Sequence, residues 1–226
     1  MGRIKAVVFD MDGVLFDTEK MYLDAWNILG AQKNISDIEG TAKKCIGLSV
    51  TDTVALLKNT YGEDFPVEEY HKIIEASVKD KIQRDGIPVK QGVGDILDYL
   101  YSINFTVGLA SSTKYNKIIE HLERAGLLKY FKVIIGGDMI AHSKPDPEIY
   151  KTACMRLGVD PSEAAAVEDS KNGVISAHLA GMIPLLVPDL VAPDREMLSM
   201  SEKCFDSLED VMVYLKREIN GETEKH

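Results

Sequence analysis

The chain has 226 residues, of which 45% are hydrophobic and 27% charged, so it is long enough to bury a substantial core. Its 26 lysines and arginines are outnumbered by 36 acids, and the formal net charge of -10 opposes non-specific attraction to nucleic acid or anionic lipid. We therefore expect a free metabolite or another protein as the partner, and neither nucleic acid nor a membrane.

The sequence shows no signal for export and no disulfide framework. Its opening residues contain one apolar run, Ala6 to Phe9, which is too short for a signal peptide. No stretch approaches the roughly 18 to 20 apolar residues that span a bilayer. The three cysteines, Cys45, Cys154 and Cys204, are far apart and lack metal-ligand spacing. We expect a reduced, cytoplasmic protein that acts as a monomer.

Short apolar runs alternate with longer amphipathic segments along most of the chain. Continuous apolar runs in this setting are typical of parallel strands that are buried on both faces. The predicted strands are Ile4 to Phe9, Phe105 to Ala110, Val133 to Ile135, Ala164 to Val167 and Ile183 to Val187. The predicted helices between and after them cover 94–103, 114–125, 146–157, 171–180 and 207–218. The pattern predicts an α/β fold with a doubly wound parallel sheet.

The interval 18–88 breaks this alternation. It holds helical patterns such as VEEYHKIIEASVKDKI and no convincing strand. Glycine and proline residues between 86 and 94 mark the point where turn residues replace helix formers. We predict an all-helical domain over 18–88, inserted into a core domain formed by 1–17 and 89–226.

The first predicted strand ends in two acids, Asp10 and Asp12, within the sequence DMDGVLFDT. Ligands of parallel sheets bind beyond the carboxyl ends of the strands, and residues two apart leave a strand on the same side. A carboxylate can attack phosphorus, while a second carboxyl can carry the proton of the leaving group. An isolated Asp-Met-Asp-Gly is equally well explained as a capped turn, so the other strand ends decide.

Polar clusters follow three further predicted strands. The SSTK sequence that begins at Ser111 offers hydroxyls at a helix start, which suit phosphate oxygens or a simple helix cap. Prolines follow Lys144, which by itself would be a solvated surface charge. Glu168 and Asp169 end the fourth strand, where buried acids need a compensating cation such as Mg²⁺. Together the four clusters supply a nucleophile, an acid/base, phosphate ligands and a metal site.

The ordered set DMDGVLFDT, LASST, SKPDPEIY and VEDSKNG resembles the four motifs of haloacid-dehalogenase-type phosphatases with a helical cap. The similarity is greatest to the β-phosphoglucomutase-like branch and covers nearly the whole chain. It implies a Rossmann-like core with the cap at 18–88, and a Mg²⁺-dependent phosphatase of a small phosphorylated metabolite such as a sugar phosphate. Members of the superfamily that hydrolyse carbon–halogen bonds lack the second acid, so Asp12 favours phosphoryl transfer.

The resemblance also implies a role for each motif residue. Asp10 would be the nucleophile that forms an aspartyl-phosphate, and Asp12 would protonate the leaving group and then activate water. The implied substrate-binding residues are Ser111, Ser112, Lys144 and Thr18. The implied Mg²⁺ ligands are Asp10, Asp169, the backbone carbonyl of Asp12, and Glu168 either directly or through water.

Two other functions stay open. A phosphosugar mutase of the β-phosphoglucomutase type has a cap arginine after Gly-Val-Ser and a histidine soon after the first motif. Here Gly47-Leu48-Ser49-Val50 places valine at the arginine position, and Tyr22 stands where the histidine would be. Neither side chain carries a positive charge, which favours hydrolysis over mutase activity. A binding module without turnover is disfavoured because every catalytic position holds the expected residue type.

Overall fold

The computed structural model of the protein describes residues 3–46, 48 and 50–221. The chain forms two compact units, one made of Met1–Phe16 with Val89–His226 and the other of Asp17–Pro88. The boundary predicted from the sequence lies one residue later, at Thr18.

The larger unit is built on a parallel sheet. Its strands are β1 (Ala6–Phe9), β2 (Thr106–Ser111), β3 (Val133–Gly136), β4 (Ala164–Glu168), β5 (Ile183–Leu186) and β6 (Lys203–Cys204). They pair in the order β3-β2-β1-β4-β5-β6, and each neighbouring pair is parallel. The predicted α/β fold class is confirmed.

The helices are divided between the two units. In the smaller unit they are α1 (Thr18–Lys33), α2 (Ile38–Cys45), α3 (Val50–Tyr61) and α4 (Val67–Asp85). In the larger unit they are α5 (Val93–Ser102), α6 (Tyr115–Arg124), α7 (Glu148–Leu157), α8 (Lys171–Leu179), α9 (Arg195–Met200) and α10 (Leu208–Asn220). Of the helices in the described part of the chain, none is both long enough and apolar enough to cross a membrane.

Two elements of the larger unit were not predicted. The short helix α9 depends on a cap, since the Asp194 side chain accepts a hydrogen bond from the backbone N–H of Met197. The strand β6 is two exposed residues at the edge of the sheet, so it carries no apolar pattern. Both elements are too short for periodicity to reveal them.

The site is positioned by the two central strands, β1 and β4. Their residues are fully buried, and the register pairs Phe9 with Val167. The next residue on each strand, Asp10 and Glu168, therefore lies at the same carboxyl edge of the sheet. The chain runs outward from β1 in both directions, to β2 and β3 on one side and to β4, β5 and β6 on the other. This reversal is the topological switch point at which parallel sheets bind ligands.

Candidate active site

Lys144 is the centre of a buried ion-pair network. Its Nζ lies 2.5 Å from Asp10 Oδ1 and 2.6 Å from Glu168 Oε1, and it also donates to the carbonyl of Ala110 at 3.2 Å. The Lys144 and Asp10 side chains are 6% and 10% exposed, and that of Glu168 is 0% exposed. One ammonium group thus joins the ends of β1, β2 and β4, and its two carboxylate partners compensate its burial.

The carboxylate of Glu168 accepts hydrogen bonds on both oxygens. Oε1 accepts from Lys144 and from the Tyr150 hydroxyl at 2.7 Å. Oε2 accepts from the backbone N–H groups of Asp169 and Ser170 and from the Ser170 hydroxyl, at 3.1 to 3.3 Å. These five bonds make Glu168 an anchor for the surrounding residues.

The N-terminus of α8 is built around this anchor. Ser170 is the N-cap and its hydroxyl accepts a hydrogen bond from the N–H of Gly173. A Cβ atom on Gly173 would lie 2.0 Å from the Glu168 carboxylate, so only glycine leaves space for the acid. The partial positive charge of the helix N-terminus also stabilises the carboxylate.

Burial and the ion pairing between Asp10 and Lys144 act against each other at both groups, and the pKa of each is raised. Burial raises the pKa of Asp10 to about 7, and the neighbouring Lys144 ammonium opposes the rise. Burial lowers the pKa of Lys144, but the charges of Asp10 and Glu168 outweigh this and hold it above its usual value. Lys144 is therefore charged at neutral pH, whereas ionisation of Asp10 is helped by any further cation in the site.

Asp12 is held by the segment that follows β2. The Thr113 hydroxyl donates to Asp12 Oδ2 at 2.8 Å, and the buried Ser111 hydroxyl lies 3.5 Å from the same oxygen. The Ser111 hydroxyl also accepts the N–H of Thr113. Ser112 lies between them and is exposed.

The donor set fits Mg²⁺. Carboxylate oxygens of Asp10, Glu168 and Asp169 lie within 4.8 Å of one another, and all three residues are buried. Oxygen ligands of this kind suit Mg²⁺, and three buried acids beside one lysine leave negative charge that a cation would neutralise. Because Glu168 already accepts five hydrogen bonds, its geometry favours contact with an ion through water over direct ligation.

Several predicted residues lie in the smaller unit. Thr18 is the first residue of α1 and is buried, and Tyr22 lies one turn later. Val50 begins α3 and is 74% exposed. Gly47 and Ser49, which complete the comparison with the mutase arginine, lie outside the described residues.

Two hydroxyl groups that contact the acids of the site were not among the predicted site residues. Thr113 lies in the SSTK sequence that was expected to offer hydroxyls, but β2 ends at Ser111, so strand alternation does not place residue 113. Ser112 was predicted instead. Tyr150 carried no such signal, since a tyrosine in the first turns of a helix is most often part of the core.

The fold and the site together define an enzyme of the α/β class that has acidic residues and a lysine at a topological switch point. Residues 7–187 match the family model described as haloacid dehalogenase-like hydrolase, and the chain belongs to this family.

The relatives of this chain include proteins named as a phosphatase and as a β-phosphoglucomutase. A phosphorylated carbohydrates phosphatase from Thermotoga maritima is 32% identical over 179 residues, 79% of this chain and 82% of the relative. A β-phosphoglucomutase from Bacillus subtilis is 28% identical over 214 residues, 87% of this chain and 92% of the relative. A Thermotoga maritima crystal structure, provisionally described as a β-phosphoglucomutase, matches with a TM-score of 0.77 at 29% identity, covering 95% of this chain and 99% of that chain. The chain is a haloacid dehalogenase-like hydrolase related to β-phosphoglucomutase-like phosphatases, and the predicted resemblance is confirmed.

Proposed function

We propose that the enzyme is a Mg²⁺-dependent phosphatase that hydrolyses a small phosphorylated carbohydrate through an aspartyl-phosphate on Asp10. The observation that carries this proposal is the buried network in which Lys144 holds Asp10 beside Glu168, with Asp12 two residues further on. The carbohydrate is inferred from the Thermotoga maritima phosphatase of phosphorylated carbohydrates. The compartment and the monomeric state stay predictions.

In the first half of the proposed reaction, a carboxylate oxygen of Asp10 attacks phosphorus and the bond to the sugar oxygen breaks. Asp12 gives its proton to that leaving oxygen. Lys144, held at Asp10 Oδ1, places its charge beside the attacking group, and the Ser111 hydroxyl binds a phosphoryl oxygen. The products of this half are the free sugar and the acyl-phosphate on Asp10.

In the second half, Asp12 removes a proton from water, and the hydroxide attacks the phosphorus of the acyl-phosphate. The phosphorus bond to Asp10 breaks, which releases inorganic phosphate and restores both carboxyl groups to their starting states. Neutralising the charge between an anionic nucleophile and an anionic substrate is the chemistry that Mg²⁺ supplies when bound. Asp10, Asp169 and the carbonyl of Asp12 are the proposed ligands, with Glu168 acting through water.

We expect phosphate release from a panel of phosphorylated carbohydrates to require Mg²⁺. Calcium should inhibit, because it accepts the same oxygen ligands in a larger and looser shell that misaligns in-line attack. Inorganic phosphate would be measured in Mg²⁺, in Ca²⁺, and in a chelator without added metal. Equal rates in the three conditions would contradict the proposed metal dependence.

A second candidate is a phosphosugar mutase, which the similarity to the Bacillus subtilis β-phosphoglucomutase favours. A mutase must grip the distal phosphate of a bisphosphate intermediate with a cation. Val50 and Tyr22 stand where those enzymes have an arginine and a histidine, and neither can supply that charge. We therefore expect hydrolysis.

The two activities can be separated in one incubation. The enzyme is mixed with Mg²⁺, β-glucose 1-phosphate and a trace of the 1,6-bisphosphate, and glucose 6-phosphate and inorganic phosphate are followed together. A phosphatase releases inorganic phosphate with little glucose 6-phosphate. Rapid formation of glucose 6-phosphate with negligible inorganic phosphate would replace the phosphatase proposal with the mutase.

A further inference from the structure

Lys90 is a partly buried lysine of the larger unit that the proposed reaction does not use. Its Nζ donates to the backbone carbonyl of Gly13 at 2.7 Å and lies 2.5 Å from Asp189 Oδ1. The Lys90 and Asp189 side chains are 20% and 13% exposed. The backbone N–H of Lys90 also donates to the carbonyl of Leu15 at 3.0 Å. One residue thus holds the turn that follows Asp12 by its side chain and by its backbone.

The turn itself is tightly constrained around Gly13. Gly13 has a φ of +81°, and a Cβ at this position would lie 2.1 Å from Asp169 Oδ2. Its N–H donates to the carbonyl of Phe16 at 2.9 Å, while its carbonyl accepts from Lys90. The Gly13 N–H shares one peptide plane with the carbonyl of Asp12, so its bond to Phe16 orients that carbonyl directly. Lys90 holds the adjoining peptide plane through the Gly13 carbonyl, and fixing both planes fixes the turn that presents the Asp12 carbonyl.

Asp189, which follows β5, completes this arrangement. Its Oδ1 pairs with Lys90, and its Oδ2 is buried with no hydrogen-bond partner among the residues that the structure describes. A carboxylate oxygen of Asp189 lies within 4.8 Å of one of Asp169. Lys90 and Asp189 therefore act on each other. Lys90 neutralises an acid that lies close to Asp169, and Asp189 holds the Lys90 ammonium against the Gly13 carbonyl.

We infer that Lys90 and Asp189 are a pair of positioning residues that orients the Asp12 carbonyl, and with it the Mg²⁺ site, from outside the reacting groups. The inference rests on the proposed function, in which that carbonyl is a ligand. A charged donor suits the task because charge-assisted hydrogen bonds are about twice as strong as neutral ones. Partners that orient metal ligands commonly change metal affinity or activity by about 10- to 100-fold when they are removed.

The test compares Lys90→Met with Lys5→Met. Lys5 makes an ion pair of the same 2.5 Å length with Glu163, but that pair is exposed and precedes β1 and β4, at the opposite edge of the sheet. Mg²⁺ affinity is measured by calorimetry without substrate, and kcat and KM are measured at saturating Mg²⁺. For Lys90→Met we expect about tenfold or greater losses in Mg²⁺ affinity and kcat, with KM changed by less than about threefold. Lys5→Met should match the wild type in all three quantities.

A double variant separates orientation from charge neutralisation. If Lys90 only neutralised Asp189, Lys90→Met would leave an extra negative charge near Asp169 and would raise Mg²⁺ affinity, and this result would overturn the inference. Lys90→Met/Asp189→Asn removes both charges, so wild-type Mg²⁺ affinity in this double variant would overturn it as well. We expect the double variant to stay as impaired as Lys90→Met, because the Gly13 carbonyl still lacks its donor.

The conservative variant Asp189→Asn covers the case in which Lys90→Met does not fold. It removes one charge and keeps the shape, and we expect a severalfold loss of Mg²⁺ affinity because Lys90 is held less firmly. Unchanged Mg²⁺ affinity in Asp189→Asn, or in folded Lys90→Met, would contradict the inference. Failure of the proposed function is seen separately, as a wild-type enzyme whose phosphate release does not depend on Mg²⁺.

Discussion

Replacing Asp10 with asparagine is expected to lower kcat by about 10⁴-fold or more while the fold is retained. The amide has nearly the same shape and keeps a carbonyl oxygen that can accept from Lys144, which also stays paired with Glu168. The amide cannot form the aspartyl-phosphate, so the first half of the reaction is lost. Steady-state kinetics with the best carbohydrate substrate, together with circular dichroism, would measure both effects.

The matched control is Asp160→Asn. Asp160 is an exposed residue that precedes β4, and its side chain accepts the N–H of Ser162, which an amide oxygen can also do. This variant should keep wild-type activity. Retention of more than about a tenth of wild-type kcat in Asp10→Asn would contradict the nucleophile assignment.

Replacing Lys144 with methionine is expected to lower both stability and activity. The substitution leaves the carboxylates of Asp10 and Glu168 buried without their shared cation, and breaking a buried ion pair in this way costs about 3–5 kcal/mol. Turnover should fall as well, because one of the two cations that would offset the repulsion between Asp10 and a phosphorylated substrate is then missing. Denaturant unfolding in the absence of metal would give the change in free energy.

Lys171→Met provides the comparison for this prediction. Lys171 also pairs with two carboxylates, Asp194 at 2.8 Å and Glu196 at 2.6 Å, but its side chain is 45% exposed. Water solvates both carboxylates once Lys171 is replaced, so the unfolding midpoint should move little. Equal losses of unfolding free energy in Lys144→Met and Lys171→Met would show that burial does not decide how much the Lys144 ion pairs contribute to stability.

The sequence was sufficient to predict the residues of the site that follow strands. Asp10 and Glu168 were predicted because they end apolar runs, and Lys144 because its segment follows the third predicted strand; parallel strands bring their carboxyl ends to one edge. Asp10 and Lys144 are 134 residues apart, yet their ion pair follows from that rule together with the motif order. The helical insertion was also predicted from the sequence, because helical patterns without a strand interrupt the alternation of the core.

The sequence could not predict the partners that hold these residues in place. The bond from Tyr150 to Glu168 and the bond from Lys90 to the Gly13 carbonyl join segments that no local pattern relates. A tyrosine and a lysine have many possible environments, and only the packed structure shows which one each occupies.

The sequence by itself determined the α/β class, the inserted helical segment and the chemical identity of the acids and the lysine at the strand ends. These properties depend on residue type and on the side-chain periods of two residues in strands and 3.6 residues in helices. Both can be recognised within a short stretch of sequence. The tertiary structure alone decided how the groups are oriented: Glu168 anchored by five hydrogen bonds, Thr113 rather than Ser112 against Asp12, and Lys90 against Gly13. Orientation is decided at this level because a buried polar group must find its partner wherever the folded chain brings one, whatever the distance in sequence.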